Sequence, residues 1–127
     1  TSVMILNGLG GQSLSHQHAV NSARLMNAAQ PDYLSTLVVS FPLGEERFKN
    51  NFKDFKPLAQ AELFQEMQWL LSELDLKRTI FRSDHASNYL VLNGTLGQDK
   101  ERMLTQVKTA LTKPGQIPLR EEWQRGL

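Results

Sequence analysis

A short stretch near residue 80 concentrates side chains that can do chemistry. An apolar strand candidate, residues 79–81, is followed at once by a cation, a carboxylate, an imidazole, hydroxyls and a carboxamide: Arg82, Ser83, Asp84, His85, Ser87 and Asn88. In α/β folds, ligands bind and catalytic groups converge at the carboxyl ends of strands. The stretch therefore predicts a ligand or catalytic site. The alternative is that Asp84, Ser87 and Asn88 only form turns and caps.

The amino-acid composition excludes several other chemistries. The 127 residues include no cysteine, so they form no disulfide and supply no thiolate to a substrate, to zinc or to an iron–sulfur cluster. His16 and His18 are two positions apart near the start of a predicted helix. Side chains at that spacing point to different faces, so we predict solvated helix residues and no metal site.

Charge and length bound the class of protein. A net charge of +1 gives no field that would attract nucleic acid or an anionic membrane. No segment approaches the roughly 20 apolar residues that span a bilayer. The size fits one small domain. The chain opens without Met, inside an apolar strand pattern, which predicts a fragment whose N-terminal part is missing.

Hydrophobic patterning predicts an α/β fold in which three strands alternate with three helices. The predicted strands are residues 3–6, 37–39 and 79–81; the predicted helices are about 15–29, 59–74 and 98–111. Three repeated strand–helix units predict parallel strands with right-handed crossovers. Residues 45–56 are charged and contain three Phe, which predicts a loop or lid. We divide the chain into an α/β part, 1–113, and an extended tail, 114–127.

Three parallel strands would form a narrow sheet with both lateral edges open. Apolar open edges favour association with other chains. The pattern therefore predicts either part of a larger barrel or an oligomer that covers its own edges, and we expect the isolated chain to self-associate.

The glycine turn Gly8-Leu-Gly-Gly11 follows the first predicted strand. It differs from a dinucleotide-binding fingerprint, because Ser13 stands at the third glycine position and no acidic residue ends the second strand. Glycines at a strand exit do allow a backbone with free N–H groups to approach a flat ligand closely.

The order of these pieces resembles a known family. The stretches 3–11, Arg24-Leu-Met-Asn27, 37–42, 81–90 and 93–96 occur in the same order in the C-terminal half of radical S-adenosylmethionine proteins. The chain is most similar to the Fe–S oxidoreductases related to oxygen-independent coproporphyrinogen oxidase and biotin synthase. The resemblance covers nearly all of the chain up to Leu111, and residues 81–88 make it fairly specific.

The resemblance implies a cofactor, a fold and a compartment. The family forms a partial or full TIM-like (β/α) barrel whose N-terminal half carries CxxxCxxC. Those cysteines hold a [4Fe–4S] cluster, which cleaves S-adenosylmethionine to a 5′-deoxyadenosyl radical that abstracts hydrogen from a substrate. Without the cysteines, residues 1–113 would be the C-terminal part of the barrel and inactive alone. The parent would be a cytoplasmic enzyme acting on a small molecule.

The resemblance also assigns residues, although it identifies none as catalytic. Backbone around Ile5, Gly8, Leu9 and Gly10 would lie against the adenine, with Gly11 standing where the family has an acidic residue. Val38 and Val39 would pack on the adenosine, or serve only as strand core. The residues expected near substrate at the barrel mouth are Arg82, Ser83, His85, Ser87 and Asn88.

A second function from another class stays open at this point. The same sequence could be a small non-enzymatic α/β module that binds a ligand or a protein partner and oligomerises through its sheet edges.

Overall fold

Strands and helices alternate along the chain, as the computed structural model of residues 2–38, 58–85 and 88–121 shows. The elements are β1 (Ser2–Asn7), α1 (Gly11–Ala29), β2 (Tyr33–Val38), α2 (Gln60–Glu73), β3 (Ile80–Ser83), β4 (Leu92–Thr95) and α3 (Lys100–Thr112), with a 3-10 turn at Pro114–Gln116. The predicted α/β class and the three helices are confirmed. The predicted loop at residues 45–56 lies outside the described residues.

The sheet has four strands in the order β1-β2-β3-β4. β1, β2 and β3 are parallel, as predicted, while β4 is antiparallel to β3. The prediction of a three-stranded sheet with two open edges is therefore wrong, because β4 covers the outer edge of β3. Within the described residues β1 pairs only with β2, and the sheet is open rather than closed into a barrel.

One face of the sheet carries the core. Buried residues on the strands alternate with more exposed ones, and the buried ones are in register, as with Leu34 beside Phe81 and Ser83 beside Leu92. Buried residues of all three helices join them in a single cluster, which includes Ile5, Leu34, Phe81 and Leu92 from the strands and Ala23, Leu70, Met103 and Val107 from the helices. The three helices therefore pack on the same face of the sheet.

We call the opposite side of the sheet the open face; it comprises Met4, Leu6, Tyr33, Ser35, Leu37, Ile80, Arg82 and Asn93. Among the residues that the structure describes, Met4 is 61% exposed and Tyr33 is 49% exposed. Arg82 and Asn93 are exposed as well. Much of this face is thus apolar surface that no described helix covers.

The described part of the tail after α3, residues 113–121, packs on the domain. It forms the 3-10 turn and then packs Ile117 and Leu119 against the core. The backbone N–H of Arg120 donates to the carbonyl oxygen of Tyr89 at 2.7 Å. In the described part of the chain, no helix has the length and apolarity needed to cross a membrane.

Candidate functional site

The carboxyl ends of the three parallel strands gather most of the buried polar side chains that the structure describes. These groups come from strand ends, from the helices beside them and from the segment after β3: Asn7, Ser15, Thr36, Glu66, Ser83 and Asn88. Burying a polar group is costly unless it is hydrogen-bonded. The partners of these groups therefore define what the site is built to hold.

A buried carboxylate holds the glycine turn. Glu66 of α2 is 1% exposed; its Oε1 accepts the N–H of Gly8 at 2.9 Å and its Oε2 accepts the hydroxyl of Ser15 at 2.7 Å. One side chain thereby joins β1, α1 and α2. Glu66 was not predicted as a site residue. It interrupts the apolar face of α2 between Leu63 and Leu70, and a charged residue at such a position in the sequence indicates a buried polar role.

The glycine turn presents less free backbone than its sequence suggests. The N–H of Gly8 is taken by Glu66, and the N–H of Gly11 donates to the carbonyl oxygen of Gly8 at 3.0 Å. Gly8 has a φ of 86°, which favours glycine. A Cβ on Gly10 would lie 2.9 Å from the Cβ of Leu14, so local packing explains that glycine too. What the turn offers to a ligand is chiefly the Leu9 side chain, which is 40% exposed.

The two histidines of α1 face different surroundings. Nε2 of His18 lies 2.8 Å from the carbonyl oxygen of Leu6, so this nitrogen carries the proton that it donates. The same nitrogen is 3.9 Å from Oε1 of Glu66. His16 makes an edge-to-face contact with Trp69, with ring centroids 4.8 Å apart. Within the described residues, no group of three or more His, Asp or Glu side chains is placed to hold a metal ion.

A hydrogen-bonded group fixes the ends of β2 and β3. The hydroxyl of Thr36 donates to that of Ser83 at 2.8 Å, and Nδ2 of Asn88 donates to the carbonyl oxygen of Thr36 at 3.1 Å. Ser83 and Asn88 are 1% and 3% exposed. These two residues, which the sequence placed near substrate, therefore point to the helical side of the sheet and hold the strand ends together.

The other described residues of the stretch 82–88 lie apart from Ser83 and Asn88. Arg82 lies on the open face, His85 is exposed after the end of β3, and Ser87 lies outside the described residues. The described residues of this stretch therefore lie on both faces of the sheet, at its carboxyl edge. Arg82, Asp84 and His85 are the described members of this stretch that a ligand can reach from solvent.

Arg120 holds the segment that follows β3. Its guanidinium donates to the carbonyl oxygens of Asp84, at 3.2 Å, of Asn88, at 3.1 Å, and of His85. The guanidinium of Arg120 thus satisfies three backbone carbonyl oxygens of the segment after β3. Sequence reasoning missed this role because nothing in the local pattern of the tail links Arg120 to a residue more than thirty positions earlier.

The residues that the family resemblance places against S-adenosylmethionine lie in different environments. Ile5 and Val38 are 7% and 9% exposed and face the helices, which fits the strand-core alternative. Val39 lies outside the described residues. Val38 also lines a cavity of about 20 Å³ beneath the strand ends, together with Asn7, Ser83, Asn88 and side chains of α2.

Asn7 is the one buried side chain in the described residues with an unsatisfied polar atom. Its Oδ1 accepts no hydrogen bond, although the residue is only 3% exposed. Leaving a buried acceptor unpaired costs about 1–3 kcal/mol. Such costs concentrate at functional sites, and Asn7 lies where β1 meets the glycine turn.

Comparisons with protein-family models, with curated proteins and with solved structures found no significant match to this chain.

Replacing Glu66 with Leu should lower the free energy of unfolding by about 1–3 kcal/mol, because the buried donors of Gly8 and Ser15 lose their acceptor. Urea denaturation measures this change, and hydrogen exchange at the Gly8 amide should accelerate. Glu73→Leu at the exposed end of the same helix is the matched control, with an expected change within about 0.5 kcal/mol. Equal effects of the two substitutions would contradict the anchoring role.

Replacing Asn7 with Leu should raise the free energy of unfolding by about 1 kcal/mol, since it removes an unpaired acceptor and keeps a similar shape. Thr36→Val is the contrasting variant: it breaks the hydrogen bond to Ser83 and should lower stability by a similar amount. The same urea titration measures both. A loss of stability in Asn7→Leu would mean that the Asn7 oxygen is satisfied in solution.

Proposed function

We propose that this chain is the C-terminal part of a radical S-adenosylmethionine (β/α) barrel, belonging to an iron–sulfur oxidoreductase that acts on a small molecule. The complete enzyme would cleave S-adenosylmethionine to a 5′-deoxyadenosyl radical and abstract hydrogen from its substrate. The resemblance of residues 3–11 and 81–96 to that family suggests the chemistry.

The strand order is the observation that carries the proposal. Three parallel strands follow one another in the sheet in chain order, and the three described helices pack on one face. A (β/α) barrel repeats this unit, with its helices outside and the other sheet face inside. Doubly wound folds instead place helices on both faces. In this proposal the open face is the inner wall of the barrel.

β4 departs from the all-parallel pattern of a barrel. It is antiparallel to β3 and covers that strand's edge. The proposal therefore makes β3 the last parallel strand of a partial barrel and β4 its closing strand. The remaining barrel strands would then join at β1, which within the described residues has one free edge.

The residues of this chain do not fit an iron–sulfur cluster. The sequence contains no cysteine, so the cluster ligands of the proposed parent lie in another segment. Contacts with S-adenosylmethionine are also limited here, because Glu66 occupies the Gly8 N–H and leaves Leu9 and Gly10 as the accessible part of the turn. We derive no reaction step through either group.

What these residues supply is substrate positioning at the sheet edge. Arg82 offers a planar, permanently charged fork on the open face, and the imidazole of His85 can donate or accept a hydrogen bond. Ser83, Asn88 and Arg120 hold the segment that carries them. The parent would work in the reducing cytoplasm, where such clusters persist.

In the complete protein, His85→Ala should leave the cluster absorbance and uncoupled 5′-deoxyadenosine formation intact while product formation falls. The physical reason is that His85 lies at the exposed strand end and could position substrate or transfer a proton. A loss of about 2–4 kcal/mol in transition-state stabilisation is the expected scale for one such group. Anaerobic turnover with both products quantified measures it.

Ser72→Ala, a change at the exposed end of α2, is the control and should leave both products unchanged. Wild-type product formation with a depressed melting temperature in His85→Ala would assign His85 a structural role only. An upstream coding sequence without CxxxCxxC would contradict the proposed function itself and favour a non-enzymatic module that associates through β1.

A further inference from the structure

Arg82 places a cation in the middle of the open face. Its side chain points outward between the buried Phe81 and Ser83. In the sheet it lies in register with Ser35 on one side and Asn93 on the other. Within the described residues its guanidinium has no hydrogen bond or ion pair. The N–H donors of Arg82 are therefore available to a ligand.

Apolar surface lies beside this cation. Tyr33 and Ile80 are in register on β2 and β3, and Tyr33 is 49% exposed. Strand geometry places Ile80 about 7 Å from Arg82, because they are two positions apart along an extended chain. A groove of about 410 Å³ runs over β3 and β4 and is lined by Ile80, Arg82, Asn93 and Thr95 among others. That volume is within the range of small-molecule sites, roughly 300–1,000 Å³.

The carboxylate of Asp84 limits the negative charge that a ligand on this surface can carry. Asp84 also lines the groove. With the Asn93 carboxamide oriented so that both of its ends are satisfied, its nitrogen donates to Oδ2 of Asp84 at 3.1 Å. Asp84 is thus held by Asn93 and does not pair with Arg82. Among the described residues that line the groove, Arg82 is the one free cation, and with a carboxylate close by it favours a singly charged anion over a phosphate dianion.

We propose that the open face around Arg82 binds a small molecule with a flat apolar body and a single carboxylate. The guanidinium would bind the carboxylate, and Tyr33 and Ile80 would contact the apolar body. Only the identification of this ligand as the enzyme's substrate class rests on the proposed function. The binding surface itself consists of residues of this chain.

An NMR titration of the 127-residue chain with 2-naphthoate and with 2-naphthamide tests the proposal. The two probes share their apolar body and differ in charge. Naphthoate should bind about fivefold more tightly, as expected for a solvent-accessible ion pair, with shift changes centred on Tyr33, Ile80 and Asn93. Arg82→Gln should abolish that difference and leave the naphthamide dissociation constant unchanged.

Two further variants make the test specific. Arg24→Gln removes an equal charge from the exposed surface of α1 and should preserve the fivefold ratio. Asp84→Asn should strengthen naphthoate binding, because it removes a repelling charge. Equal binding of the two probes to the wild-type chain, or equal losses in Arg24→Gln and Arg82→Gln, would overturn the proposal.

Tighter binding of 2-naphthyl phosphate than of 2-naphthoate would overturn the preference for a single negative charge. These measurements require neither a cluster nor S-adenosylmethionine. An upstream sequence without cysteines would therefore remove the proposed enzyme and leave the probe result unaffected.

Discussion

The three described helices pack on one side of the sheet, and this arrangement sets both the core and the candidate site. Neighbouring parallel strands in chain order, joined by crossovers of one hand, send α1 and α2 to the same side, and α3 packs there as well. The core then forms between that side and three helices, with residues such as Phe81 and Met103 fully buried. The other side keeps Met4 and Tyr33 at the surface. The same arrangement therefore produces the core of the domain and a face that no described helix covers, and it brings three strand ends to one edge.

The buried carboxylate of Glu66 links that packing to the candidate site. A charge removed from water needs donors, and here they are the Gly8 N–H and the Ser15 hydroxyl. Satisfying the carboxylate fixes the glycine turn against α2 and takes away the backbone donor that a ligand would otherwise use. The Thr36–Ser83–Asn88 group fixes the neighbouring strand ends in the same way. Buried polar residues at this edge thus mostly shape the scaffold, while the side chains of Leu9, Arg82, Asp84 and His85 are exposed.

Periodicity recovered the long elements, since α2 was expected at 59–74 and lies at Gln60–Glu73. It missed the start of β2, because Ser35 and Thr36 interrupt the apolar run, and all of β4, where Leu92 is the only large apolar residue and Gly94 has low strand propensity. For the candidate site, composition singled out the stretch 82–88 but did not predict which face of the sheet each residue lies on. Strand alternation explains why Arg82 and Ser83 lie on opposite faces of the sheet. The contacts of the stretch 82–88 with β2, β4 and Arg120 depend on tertiary pairing that the local sequence does not encode.

If this chain is part of a barrel, as proposed, its open face is the inner wall of that barrel. Hydroxyl-radical footprinting of the 127-residue chain and of the proposed full-length parent tests this, with Met4 and Tyr33 as reporters and Leu25, 64% exposed on α1, as the outward control. Met4 and Tyr33 should react readily in the isolated chain and be protected in the proposed parent, while Leu25 should react equally in both. Unchanged reactivity of Met4 and Tyr33 in the longer protein would contradict the barrel.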